Sequence, residues 1–117
     1  MRMMHVTIHT DRLEKSVEFY INNVGLSIQV DMRGKGGKNI VFLGNSPDEP
    51  HVELVEDKEE PYAGKGISIG FHTDDVNGLR EQMARDGLDP SPMISPDPHV
   101  KFFFVKDPNG VDVQFVQ

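Results

Sequence analysis

Several short stretches of this chain alternate strictly between apolar and polar residues, and two longer ones carry apolar residues at helical spacing. Alternation sends successive side chains to opposite faces of a strand. In Met4-His5-Val6-Thr7-Ile8 the apolar set is Met4, Val6 and Ile8, while His5, Thr7 and His9 point the other way. The same pattern recurs in His51-Val52-Glu53-Leu54-Val55, in Ile67-Ser68-Ile69-Gly70-Phe71 and in Asp112-Val113-Gln114-Phe115-Val116. Further strands are expected at 27–33, 39–44, 51–56, 100–106 and 111–116, with a short one near 93–95. A helix is expected at 13–23, where Leu13, Val17, Tyr20 and Val24 share one face and Glu14, Lys15 and Glu18 the other. Asp11 followed by Glu14 resembles a capping box. A second helix is expected at 76–86, with Val76, Leu79 and Met83 as its apolar face. Gly25 and Gly87 stand where helix C-terminal caps are expected.

These elements repeat. Ile8-His9-Thr10-Asp11 opens a segment that closes in Gly25-Leu26, and Phe71-His72-Thr73-Asp74 opens one that closes in Gly87-Leu88. Order and spacing of the matched features indicate an internal duplication, each half reading strand, helix, strand, strand, strand. Two copies are too few for a solenoid. The expected organisation is one domain over 1–117, with modules at 1–57 and 66–117 and a linker at 58–65 carrying Pro61 and Gly64. Asp107-Pro108-Asn109-Gly110 is a strong turn signal between the last two strands. Arg33-Gly34-Lys35-Gly36-Gly37-Lys38 superficially suggests a phosphate loop. It lies between two strands and lacks the Lys-Ser/Thr ending, so a hairpin turn is the better reading.

Composition narrows the classes. The chain has 117 residues, 37% of them hydrophobic, which suits one ordinary core. Its formal net charge of −7 argues against nucleic-acid partners, which demand clustered Lys and Arg. There is no cysteine, so disulfides and thiolate chemistry are excluded. No apolar run of membrane-spanning or signal-peptide length is present, and the expected location is the cytoplasm.

Candidate chemistry follows from the strand faces. If the apolar faces pack under the two helices, the opposite faces carry His5, His9, His51, Glu53, Ser68, His72 and Gln114. Four of the five histidines therefore fall on them. A solvated sheet face accounts for polar residues in general. Histidine is not a usual surface filler, and the repeat places these residues at equivalent points, so a ligand or metal cleft between the halves is the sharper expectation. In Lys101-Phe102-Phe103-Phe104, Phe103 faces opposite to Phe102 and Phe104, so part of the run is core and part can stack on a ligand. His99 reads as a loop residue and Tyr62 as a packing residue.

Leu13-Glu14-Lys15-Ser16-Val17-Glu18-Phe19-Tyr20, Val24-Gly25-Leu26, His51-Val52-Glu53-Leu54 and Asp107-Pro108-Asn109-Gly110, together with the opening Met1-Arg2-Met3-Met4-His5, resemble the vicinal-oxygen-chelate superfamily. It includes glyoxalase I, extradiol dioxygenases and bleomycin-resistance proteins, and bacterial glyoxalase I is the nearest in pattern. The resemblance covers essentially the whole chain. It implies an α+β fold of two βαβββ modules whose curved mixed sheets enclose a cleft. It implies metal ligands at the positions of His5, Glu53, Ser68 and Gln114. His5 and Glu53 match the bacterial glyoxalase pattern, whereas Ser68 stands in place of histidine and Gln114 in place of glutamate.

An imidazole and a carboxylate suit nickel, zinc, manganese or iron. An amide oxygen is a weaker donor and a serine hydroxyl a poor one. The resemblance therefore implies a weakened metal site of His5, Glu53 and Gln114. Glu53 is the one carboxylate left to move a proton, and Ser68, His9, His51, His72, Phe102 and Phe104 line the substrate. His72 lies about 13 Å along the strand from Ser68, too far to replace the missing ligand. Glyoxalase-like metal-dependent chemistry is one expectation; metal-free sequestration of a small molecule, as in the bleomycin-resistance branch, is the alternative. The extradiol site fits least, because Ser68 and Gln114 occupy two of the three positions it needs. The resemblance also implies a homodimer.

Overall fold

The computed structural model describes residues 1–117. Two compact units divide the chain, Met1–Ala63 and Gly64–Gln117. The first contains β1 (His5–Thr10), α1 (Leu13–Asn22), β2 (Ser27–Asp31), β3 (Ile40–Gly44) and β4 (His51–Glu56). The second contains β5 (Ser68–His72), α2 (Val76–Arg85), β6 (Ile94–Asp97), β7 (Val100–Lys106) and β8 (Asp112–Val116). Each unit is thus a βαβββ module with a four-stranded mixed sheet, ordered β1-β4-β3-β2 in one and β5-β8-β7-β6 in the other. The α+β duplication expected from the pattern is what forms.

The sheet order follows from the connections. Direct loop connections make β2, β3 and β4 antiparallel neighbours, while the α1 crossover leaves β1 at the far edge, parallel to β4. β5 is likewise parallel to β8. The segment 57–62 stays with the first unit. Its Asp57 and Tyr62 N–H groups donate to the Thr10 and His9 carbonyls, each at 2.8 Å.

Alternation decides which face is covered. Ile8, Val41, Leu43, Val52 and Leu54 are buried on the side where α1 packs. Val105, Val113, Phe103 and Phe115 are their counterparts beneath α2. The two units fill these cores differently. α1 buries Leu13, Ser16, Val17, Phe19 and Tyr20, whereas α2 buries only Val76 and Met83. The aromatic bulk that α1 supplies in the first unit comes from the sheet in the second. There Phe103 and Phe115, stacked with ring centroids 5.4 Å apart, hold the places of Val41 and Leu54.

The helix ends differ as well. Leu13 follows an N-cap at Arg12, not at Asp11, so the expected capping box does not form; Glu14 instead accepts from Arg33 at 2.8 Å. The local bond that shapes this corner runs from the Arg12 N–H to the Thr10 hydroxyl, at 2.9 Å. α2 has a true side-chain cap, Asp75, accepting from the Gly78 N–H at 3.0 Å. At its C-terminus Gly87 has φ +79, and Leu88 donates to Met83 O while Gly87 donates to Ala84 O, a Schellman closure. α1 ends one residue more loosely, with Gly25 at φ +84 and Leu26 donating to Tyr20 O. Both helices have ten residues, so the one-residue difference between the repeats lies in this cap.

Candidate functional site

The first unit's uncovered sheet face is built by register. β1 and β4 pair His5 with His51, Thr7 with Glu53 and His9 with Val55, and β3 sets Phe42 beside Glu53. In paired strands, cross-strand partners point the same way, so His5, Thr7, Phe42, His51 and Glu53 share one surface. His5 Nε2 lies 3.4 Å from Glu53 Oε1. The Thr7 hydroxyl donates to that same carboxylate oxygen. The Glu53 side chain is only 14% exposed, against 41% for His5, so the carboxylate is held in the surface while the imidazole reaches out of it. Phe42 braces both histidines edge-on, 5.6 Å from the His5 ring and 6.2 Å from that of His51.

The other histidines have local partners. His51 Nε2 donates to the Ser46 carbonyl at 3.0 Å. His51 also lies against Gly44, where any Cβ would collide with its ring. His9 Nδ1 is 2.9 Å from Asp57 Oδ2. The Asp57 carboxyl is held below its ordinary pKa, first by the Glu60 backbone N–H and then by His9. His72 pairs with Asp74 at 3.0 Å on an exposed edge. His99 lies in the β6–β7 turn, its N–H donating to Asp97.

The corresponding face of the second unit pairs Ser68 with Asp112, Gly70 with Gln114, and Phe104 with Gln114. Gln114 holds the position of Glu53, Gly70 that of Thr7, Phe104 that of Phe42 and Ser68 that of His5. Gln114 Oε1 is so close to Gly70 that a Cβ there would meet it at 3.1 Å. Phe102 and Phe104, both half-buried, pack edge-to-face with centroids 5.7 Å apart. Asp112, which takes the place of His51, is bound to Lys106 at 2.7 Å.

The donor chemistry of the first face fits a divalent ion. Two ligands each about 2.1 Å from one ion at a tetrahedral angle lie about 3.4 Å apart, the separation found between His5 Nε2 and Glu53 Oε1. No cluster of three or more His, Cys, Asp or Glu side chains accompanies them. The sequence pattern placed His5 and Glu53 on one face and likewise Ser68 and Gln114 on the other unit's. It did not single out Thr7 or Phe42. Their importance depends on strand register, and the only sequence signal was that Thr7 alternates in phase with His5.

The chain is a duplicated βαβββ unit with an imidazole–carboxylate pair on the open sheet of its first half. Residues 2–115 match the family model described as Glyoxalase/Bleomycin resistance protein/Dioxygenase superfamily, and the chain belongs to that superfamily. It is 29% identical to a lactoylglutathione lyase of Neisseria meningitidis serogroup A, over 100% of this chain and 91% of the relative. It is 28% identical to a probable lactoylglutathione lyase of Vibrio cholerae, over 99% and 90%. Among solved structures, the glyoxalase I of Leishmania major superposes with a TM-score of 0.79 at 22% identity, covering 100% of this chain and 86% of that one. The fold is therefore that of glyoxalases.

Proposed function

We propose that this protein is a glyoxalase I-like enzyme acting on a small molecule, with His5 and Glu53 as ligands of a divalent metal and Glu53 as the group that moves the proton. The 3.4 Å approach of His5 Nε2 to Glu53 Oε1 carries this reading. Similarity to lactoylglutathione lyases over the full chain supports the reaction class. Gln114 is the proposed third donor, as the positional counterpart of Glu53, with Ser68 beside it. His9, His51, His72, Phe102 and Phe104 are proposed substrate contacts. The working form is proposed to be a cytoplasmic homodimer whose single domain spans 1–117, with modules 1–57 and 66–117 joined at 58–65.

The chemistry assigned to Glu53 is a proton shuttle. Its carboxylate takes a proton from one carbon of a hemithioacetal and returns it to the adjacent carbon. One C–H bond breaks and one forms, and the hydroxyl proton passes from the first carbon's oxygen to the second's, so the product is an isomer and no oxidant or reductant is needed. His5 and Phe42 flank that carboxylate on the open sheet face. Gln114 can accept or donate a hydrogen bond but cannot take the proton. A bound nickel, zinc, manganese or iron ion would supply Lewis acidity that lowers the energy of charge developing on substrate oxygens.

The test is titration of the purified chain with nickel, zinc and manganese, followed by turnover of a glutathione hemithioacetal. One ion per chain is expected, with Glu53→Gln binding more than about 100-fold more weakly, since loss of a ligand exceeds the effect of losing a ligand's supporting partner. Absence of uptake of all three ions would overturn the reading. A second reading, metal-free sequestration of a planar small molecule, is favoured by the Phe102–Phe104 pair on the second unit's face. It predicts a ligand bound tightly and recovered unchanged, with no ion required.

A further inference from the structure

We infer that Thr7 is the positioning residue of the Glu53 carboxylate, and that its hydroxyl sets the metal affinity of the His5–Glu53 pair. The inference rests on the metal-ligand reading proposed above. Thr7 is the register partner of Glu53 across the β1–β4 pair, so the two side chains leave the sheet side by side. Its hydroxyl donates to Glu53 Oε1, the oxygen that faces His5 Nε2. A glutamate has three side-chain torsions, and each must be fixed before its oxygen can stay beside an imidazole on the neighbouring strand. The hydrogen bond fixes the end of that chain, while β-branching fixes χ1 of Thr7 itself. A carboxylate ligand supported in this way binds metal more tightly than a mobile one, because less side-chain freedom is lost on binding.

The second unit shows the same position used differently. Gly70 replaces Thr7, and Gln114 lies over it so closely that a Cβ there would meet Gln114 Oε1 at 3.1 Å. One face therefore carries a carboxylate propped by a hydroxyl, and the other an amide resting on bare backbone. The residue at position 7 or 70 decides the posture of the donor beside it.

The test compares Thr7→Val and Thr7→Ser with the unaltered chain, by calorimetric titration with nickel and with zinc. Valine keeps the branched shape on an exposed strand position, so the fold is expected to be unchanged, as circular dichroism would verify. Thr7→Val should weaken both metals by about 10-fold or more, the usual effect of removing a ligand's hydrogen-bonding partner. Thr7→Ser, which keeps the hydroxyl, should restore most of that loss. Equal affinity of Thr7→Val and the unaltered chain would overturn the role of Thr7 alone. Weakening by both variants alike would also overturn it, since shape and not the hydroxyl would then be responsible. Absence of metal uptake by the unaltered chain would overturn this inference together with the reading beneath it.

Discussion

The two units have one topology and two chemistries. On the open face of the first lie His5, Thr7, Phe42, His51 and Glu53; on that of the second the same positions hold Ser68, Gly70, Phe104, Asp112 and Gln114. The covered faces differ in the opposite sense, with aromatic bulk on α1 in the first unit and on the sheet in the second. Duplication preserved the hydrogen-bonded frame, because strand pairing depends on backbone and alternation. It left side chains on either face free to diverge, provided each covered face remained filled. The lesson is that equivalence of position in a repeat does not carry equivalence of role.

The largest effects should come from the covered faces. Phe103 is fully buried where the first unit has the smaller Val41. Phe103→Ala should cost about 3–5 kcal/mol in denaturant unfolding, from lost burial and an unfilled cavity. The reverse exchange tests the comparison directly. Val41→Phe places sheet-borne bulk under a helix that already carries Phe19 and Tyr20, and should cost about 1–3 kcal/mol by overpacking. A stabilising result for Val41→Phe would mean that the two cores are not filled in complementary ways.

The helix caps should respond by less, and nearly equally. Gly25 at φ +84 and Gly87 at φ +79 close their helices in the left-handed region. Alanine at either should cost about 1–2 kcal/mol, although one cap is a residue longer than the other. A Gly25→Ala cost well below that of Gly87→Ala would show that the longer cap relaxes away from positive φ.

The smallest effect distinguishes the β2–β3 and β6–β7 hairpins. Arg33 donates to both oxygens of Asp31, at 2.9 and 2.7 Å, and its backbone N–H adds a third bond at 3.0 Å. These bonds lower the Asp31 pKa from 3.8 to about 2. A depressed carboxyl contributes stability that is present above its unfolded value and lost as pH falls through its folded value. For Asp31 that window runs from 3.8 down to about 2. Arg33→Gln should move the Asp31 midpoint in an NMR titration upward toward 3.8. The β6–β7 turn has no such arginine, and its Asp97 carboxylate accepts from the His99 backbone N–H at 2.7 Å. An unmoved Asp31 midpoint would assign the shift to the turn backbone alone.

The sequence by itself determined the elements, their order and the faces of each strand. Alternation at 4–8, 51–55, 67–71 and 112–116, helical spacing from Leu13 and Val76, and the two glycines at the caps are local patterns governed by backbone geometry. They place His5 and Glu53 on the polar faces of their strands, and likewise Ser68 and Gln114. Resemblance to known sequences added the roles expected of those positions. Tertiary structure alone decided which of these side chains meet. Parallel pairing of β1 with β4 joins residues 46 apart in the chain, and only that register brings Thr7 to Glu53 and His5 within 3.4 Å of it. It also decided that α1 starts after an N-cap at Arg12, so Asp11 and Glu14 do not form a capping box, and that the β2–β3 hairpin brings Arg33 to Glu14 instead. Contacts at such separation depend on how the sheet closes, and no local pattern of residues encodes that.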